Sequence, residues 1–134
     1  MQNINQSRLH RGHAKRVLDW CIERYGKSKY SKHYPTIRFI KFTDYENIGL
    51  LGYYEPEFCE IFINSEDHLN VDELCKTIIE EYQHYMQSDS QYQKMAKVYS
   101  YDQHPLEKQA QKIANTHYKI CVKELKKYHK TFFF

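Results

Sequence analysis

The sequence predicts a single α+β domain, with one helix ahead of a small sheet and two helices behind it. Three observations carry that expectation. Apolar residues recur at helical spacing in three separate stretches. Between the first and second of these lie short runs rich in β-branched and aromatic residues. The chain has 134 residues with 41% hydrophobic content, enough for one core without disulfide support.

The first helix is expected from Ser7 to Tyr25, where Leu9, His13, Val17, Leu18, Cys21 and Tyr25 fall on one face and Gly26 follows the end. A polar loop, Lys27 to Pro35, leads to a strand over Thr36–Phe42. Two more strands are expected at Gly49–Tyr54 and Phe58–Asn64, with Glu55-Pro56-Glu57 as the turn between them. Asn70 then opens the clearest helix. Its side chain is placed to cap the first turn, and Glu73 stands three residues on. Val71, Leu74, Cys75, Ile78, Ile79, Tyr82 and Met86 form the apolar stripe of that helix. Ser88 to Tyr101 reads as a short helix and a loop. Pro105 suits the first turn of a last helix, with His104 as its cap. Leu106, Ala110, Ile113, Ala114, His117, Cys121 and Leu125 carry its buried side to about Tyr128, and Phe132–Phe134 either docks or forms a tail. Residues 1–134 are thus read as one domain, with no internal repeat.

Charge and cysteine content narrow the classes. The net charge is +3, too small to imply nucleic acid by itself, but basic residues gather at 8–32 and at 108–130 around an acidic centre. A nucleic-acid surface on the second of these is one reading, and a solvated helix face is the plainer one. No apolar run is long enough to span a membrane, and the polar start of the chain has no signal core, so a cytoplasmic location is expected. The four cysteines, Cys21, Cys59, Cys75 and Cys121, form no CxxC pair and are read as reduced thiols. The tyrosine- and lysine-rich composition and small size suit a phage or viral protein. Trp20 and the histidines His10, His13, His33, His68, His117 and His129 are read as ordinary core or surface residues.

Chemistry concentrates in Thr77-Ile78-Ile79-Glu80-Glu81-Tyr82-Gln83-His84. On a helix turning about 100° per residue, Glu80 and His84 lie about 40° apart on successive turns. Both point away from the apolar stripe, with Glu81 on the shoulder of the same face. A carboxylate and an imidazole at i and i+4 can grip one metal ion.

This segment resembles the H-E-x-x-H motif of zincin metallopeptidases, with Glu80 where the first histidine would stand. A second resemblance lies downstream. His104-Pro105-Leu106-Glu107-Lys108-Gln109-Ala110 is similar to the gluzincin helix in which a Glu supplies the third ligand. Small phage-type and bacterial metallopeptidase-like domains often read E-Y-x-H-Y-x-Q followed by N-P-x-E-x-E-A. Glu81 to Gln87 and His104 to Ala110 match most of that pattern, and the likeness covers roughly residues 36–115.

The resemblance implies a zincin-like frame, with an N-terminal helix, a small mixed or antiparallel sheet, a motif helix and a C-terminal ligand helix. It implies Glu80, His84 and Glu107 as ligands of a divalent metal, zinc first and manganese second. Glu81 would be the base of a metal-dependent peptidase acting through an activated water. The Phe58–Asn64 strand would line the cleft and pair with a protein or peptide substrate. Tyr85, Tyr99, Tyr101 or His104 would steady the oxyanion or support the site. The alternative is a catalytically impaired zincin-like protein that acts as a binding or inhibitory factor, because two carboxylates nearly cancel the charge of a divalent ion. Glu81-x-x-His84 also fits a carboxylate-bridged di-iron bundle, but that fold needs a second such motif and no strands.

Overall fold

The computed structural model describes residues 2–42, 50–65 and 70–129, with side chains from Arg11 onward. Helix α1 spans Gln2–Tyr25, strands β1, β2 and β3 span Thr36–Ile40, Gly52–Glu55 and Glu60–Asn64, and helices α2, α3 and α4 span Val71–Met86, Asp89–Ala96 and Pro105–Tyr128. A single 3-10 turn, Tyr101–Gln103, precedes α4. The protein is therefore α+β, as the periodicities predict.

The sheet is mixed, in the order β1-β3-β2. β1 runs parallel to β3, and β2 runs antiparallel to it. Burial follows from this order. Central β3 carries Ile61, Phe62 and Ile63, all buried, while the two flanking strands are only partly covered. This corrects the expectation that the Phe58–Asn64 strand would pair with a substrate. Both of its edges already hold backbone partners, so among the described residues the outer edge beside the motif helix belongs to β2. The same strand also starts later than its composition suggests. Phe58 is exposed, and Cys59 has φ +52°, a left-handed conformation that ends the turn after Pro56.

Side chains from α1 (Ala14, Val17, Cys21), β3 (Ile61, Ile63), α2 (Leu74, Cys75, Ile78, Ile79, Tyr82) and α4 (Ala114, Cys121) share one core. The apolar stripe of α2 lies at its centre, which explains why that helix shows the cleanest pattern in the chain. Its start is capped as expected, since the Glu73 N–H donates to Asn70 Oδ1 at 2.8 Å. Among the described residues all four cysteines are free thiols, with the Cys121 and Cys75 sulfurs 3.6 Å apart where α4 crosses α2. No helix among the described residues is long and apolar enough to cross a membrane. Gly49, His68 and Phe132–Phe134 lie outside the described residues, as do the side chains of Leu9 and His10.

One glycine decides how close the outer edge comes to the motif helix. A Cβ on Gly52 would stand 2.9 Å from the Phe62 carbonyl oxygen and 2.9 Å from Thr77 Cγ2. Only a residue without a side chain lets β2 lie on α2 at this point.

Candidate metal centre

The site forms where the C-terminal half of α2 meets the first turn of α4. The two helices run antiparallel, so the last turns of one face the first turns of the other. Pro105 starts α4 at this height, and His104 caps it. The His104 ring accepts from Leu106 N–H through Nδ1 at 3.1 Å and bonds the Tyr92 carbonyl through Nε2 at 3.0 Å. Both ring nitrogens of His104 are thus committed to holding α3 against α4. Its sequence reading as a helix cap holds, and it presents no donor to a substrate.

Glu107, three residues into α4, is brought to His84. Nε2 of His84 lies 3.0 Å from Glu107 Oε1. Glu80 completes the group. One ligand atom from each of Glu80, His84 and Glu107 lies within 4.8 Å of the other two. Adjacent ligands around a tetrahedral zinc ion stand about 3.3 Å apart. The triad is close enough to bind a metal ion with a small inward shift of side chains.

The tautomer of His84 is set from outside the triad. Gln87 donates through Nε2 to the Leu106 carbonyl and to Gln109 Oε1, both at 3.0 Å. That leaves Gln87 Oε1 facing His84 Nδ1 at 2.8 Å, so Nδ1 is the nitrogen that carries a proton. The neutral ring then aims an Nε2 lone pair at the Glu107 carboxylate. Two acceptors cannot face one another at this distance unless a cation, a proton or a metal ion, lies between them.

Without a metal, the proton fills that role. Burial alone would lower the His84 pKa, but the hydrogen bond to Glu107 and the negative charges of Glu81 and Glu107 outweigh it and hold the group up at about 9. Burial likewise works to raise Glu107, yet its bonds to His84 and Tyr92 bring it below the ordinary carboxylate range. Glu80 is pushed up, first by burial and then by Glu107, with His84 opposing. Glu81 is pushed up to about 8, mostly by burial, with the Glu80 and Glu107 charges adding and His84 and a backbone bond with Tyr54 opposing. Three carboxyl groups crowd one imidazole, and the upward shifts of Glu80 and Glu81 are ones that an added cation would oppose.

A cleft of about 1150 Å³ opens over the triad. Leu50 to Glu57 form one wall, α2 forms the floor with Thr77, Glu80, Glu81 and His84, and Tyr92, Tyr101 and Glu107 stand opposite. The sequence-derived residues separate here. Glu80, Glu81, His84, Glu107 and Tyr101 all line this cleft. Burial, then the charges of Glu107, Glu80 and Glu81, raise the Tyr101 pKa, so its hydroxyl stays protonated near them. Tyr99 is exposed and does not line the cleft. Tyr85 points the other way. Its hydroxyl donates to the His33 carbonyl at 2.8 Å and accepts from Ser28 N–H at 3.1 Å, and its ring packs beside Tyr54 and Tyr82. It is a core residue that ties the loop after α1 to α2, with no proton left for an oxyanion.

Two residues at the site had no assigned role in the sequence reading. Gln87 was only a matched letter in the motif. Tyr92 donates its hydroxyl to Glu107 Oε2, stacks on His104 at a ring distance of 4.0 Å and meets His84 edge-on. Neither shows a spacing relation to Glu107 that a linear pattern could reveal, because α3 and the loop after it intervene.

Fold and site together define an α+β domain with a Glu–His–Glu cluster at a helix–helix seam. In comparisons with protein-family models, curated proteins and solved structures, nothing matches the chain.

Proposed function

We propose that this protein is a metal-dependent peptidase-type hydrolase on a zincin-like frame, with Glu80, His84 and Glu107 as the ligands. The observation that carries this reading is His84 Nε2, oriented through the bond of Gln87 to Nδ1 and aimed at Glu107 within a cluster that includes Glu80. A mixed nitrogen and carboxylate donor set suits zinc first and manganese second. A divalent ion held there would supply the Lewis acidity that makes water nucleophilic near neutral pH.

The rest of the chemistry falls to the chain. Glu81 stands beside the triad on the cleft floor, 6% exposed and poorly solvated, where a carboxylate is a strong proton acceptor. Ionised once a cation in the triad opposes its raised pKa, it would take a proton from the attacking water at a carboxylate oxygen and return it to the leaving amine. The protonated hydroxyl of Tyr101 is the cleft donor suited to a developing oxyanion. The outer edge of β2 offers backbone groups to an extended peptide, beside Glu81 rather than across the sheet from it.

The test uses purified protein with one equivalent of zinc or manganese and a quenched-fluorescence peptide mixture. The expected result is cleavage that Glu81→Gln lowers by about a hundredfold or more while metal binding persists. The choice of an amide is deliberate, since it keeps shape and removes the proton acceptor. Cleavage undiminished in Glu81→Gln would overturn the mechanism. Metal uptake with no cleavage by the wild type would leave the impaired, target-binding alternative, which the second carboxylate ligand favours.

A further inference from the structure

Helix α4 has a second face that the cleft does not use. Lys108, Lys112, Lys119, Lys123 and Lys126 are all exposed. At about 100° per residue they fall within an arc of about 60°, and the row runs about 27 Å along the helix axis. The buried residues Ala110, Ala114, Cys121 and Leu125 lie about 160° around the helix from the middle of that arc, so the row points straight outward. The only acids of α4, Glu107 and Glu124, each lie about 100° from the nearest edge of the arc. Both are engaged elsewhere, Glu107 with His84 and Tyr92, and Glu124 with Trp20 Nε1 at 2.7 Å. Among the described residues no salt bridge involves these five lysines.

We propose that this row is a docking surface for the phosphate backbone of nucleic acid, bound without sequence preference. Charge complementarity names the partner. A rigid row of cations with no interleaved acid matches a dense polyanion. Duplex DNA carries one negative charge per about 1.7 Å of its axis, so a row about 27 Å long spans roughly sixteen of them and its flexible lysine stems reach the phosphates of the strands that cross it. Lysine is a point charge without the forked geometry that reads base edges, which makes the contact one of backbone and not of sequence. A bilayer is a poorer match. The apolar face of α4 is buried in the core, and the arc carries no large apolar side chain to insert among lipids, only Pro105 at its edge. The surface is separate from the metal cluster, and neither depends on the other.

The experiment is fluorescence anisotropy of a labelled 20-base-pair duplex of arbitrary sequence with the full chain, from 50 to 200 mM NaCl. With three to five phosphates neutralised, affinity is expected to fall about 40- to 500-fold over that range. The triple substitution Lys112→Gln, Lys119→Gln and Lys123→Gln should lower affinity at 50 mM salt at least tenfold and reduce the log–log salt slope by about 2.7. The pair Lys29→Gln and Lys32→Gln, in the loop after α1, should leave binding nearly unchanged and so separates position from net charge. No binding of the wild type at 50 mM salt would overturn the proposal. So would affinity indifferent to salt, equal loss in the loop pair, or tighter binding to vesicles of anionic phospholipid than to the duplex.

Discussion

The two ends of the α2–α4 seam are built from the same pair of antiparallel helices and obey opposite rules. At one end Cys75 meets Cys121, within a core that also holds Leu74, Ile78 and Ala114, all essentially inaccessible to water. At the other end Glu80, His84 and Gln87 meet Glu107 and Gln109 through polar groups, with Glu81 beside them on the cleft floor. The first end gains stability by removing apolar surface from water, at roughly 25 cal/mol for each Å². The second end gathers three carboxyl groups around one imidazole, and burial pushes the pKa of Glu80 and Glu81 up there. The difference teaches that the dry end lets the wet end be strained, and that chemistry belongs where stability is given up.

The comparison breaks most sharply at Ile78. Ile78→Ala empties a fully buried site at the dry end and is expected to cost about 3 kcal/mol in urea unfolding, with metal affinity of the remaining folded protein within a few-fold of wild type. A loss under 1 kcal/mol would mean that the dry end is not the source of stability.

A pH scan sharpens the wet end. The folded-state pKa of His84, about 9, lies above its ordinary 6.5, so its contribution is complete below 6.5 and fades as pH rises through 9. Glu81, raised from 4.5 to about 8, retains a proton in the folded state that the unfolded chain has already lost, so folding weakens across that interval too. The depressed Glu107 acts in the opposite sense, but only at acid pH. Metal-free protein should therefore lose at least about 5 °C in Tm between pH 6 and 9.5 by calorimetry. Glu81→Gln should flatten the lower part of that fall. A Tm that rises over this interval would contradict the assignment of both groups.

The smallest effect comes from Gln83, one residue before His84. Its side-chain Nε2 is buried and has no hydrogen-bond partner among the described residues. Gln83→Leu is expected to raise stability by about 1 kcal/mol in urea unfolding, since it removes an unsatisfied buried amide. A loss of similar size would show that the amide has a partner in solution.

Much of this arrangement was legible in the linear pattern, for a specific reason. Helix α2 carries both ends of the seam on its two faces, so its period of 3.6 exposes the core stripe and the Glu80–His84 pair together. Asn70, Pro105 and His104 announce helix starts through local chemistry that needs no tertiary contact. Sheet order was not legible. The β2 and β3 runs look alike in composition, and only the parallel pairing of β1 with β3 makes β3 central. Tyr85 could not be separated from Tyr101 for the same kind of reason. Each stands near the motif or the ligand helix in sequence, but the helix turns Tyr85 toward Ser28 and His33, at the far side of α2. Gln87 and Tyr92 act through partners on other elements, and those partnerships have no period.

The most direct measurement is an anomalous-difference map at the zinc edge from crystals grown with zinc, set beside crystals of His84→Ala grown the same way. A single zinc peak within bonding distance of Glu80, His84 and Glu107, absent in the variant, is the predicted result. A wild-type map with no peak between these three side chains, or one whose peak survives the loss of the imidazole, would contradict it.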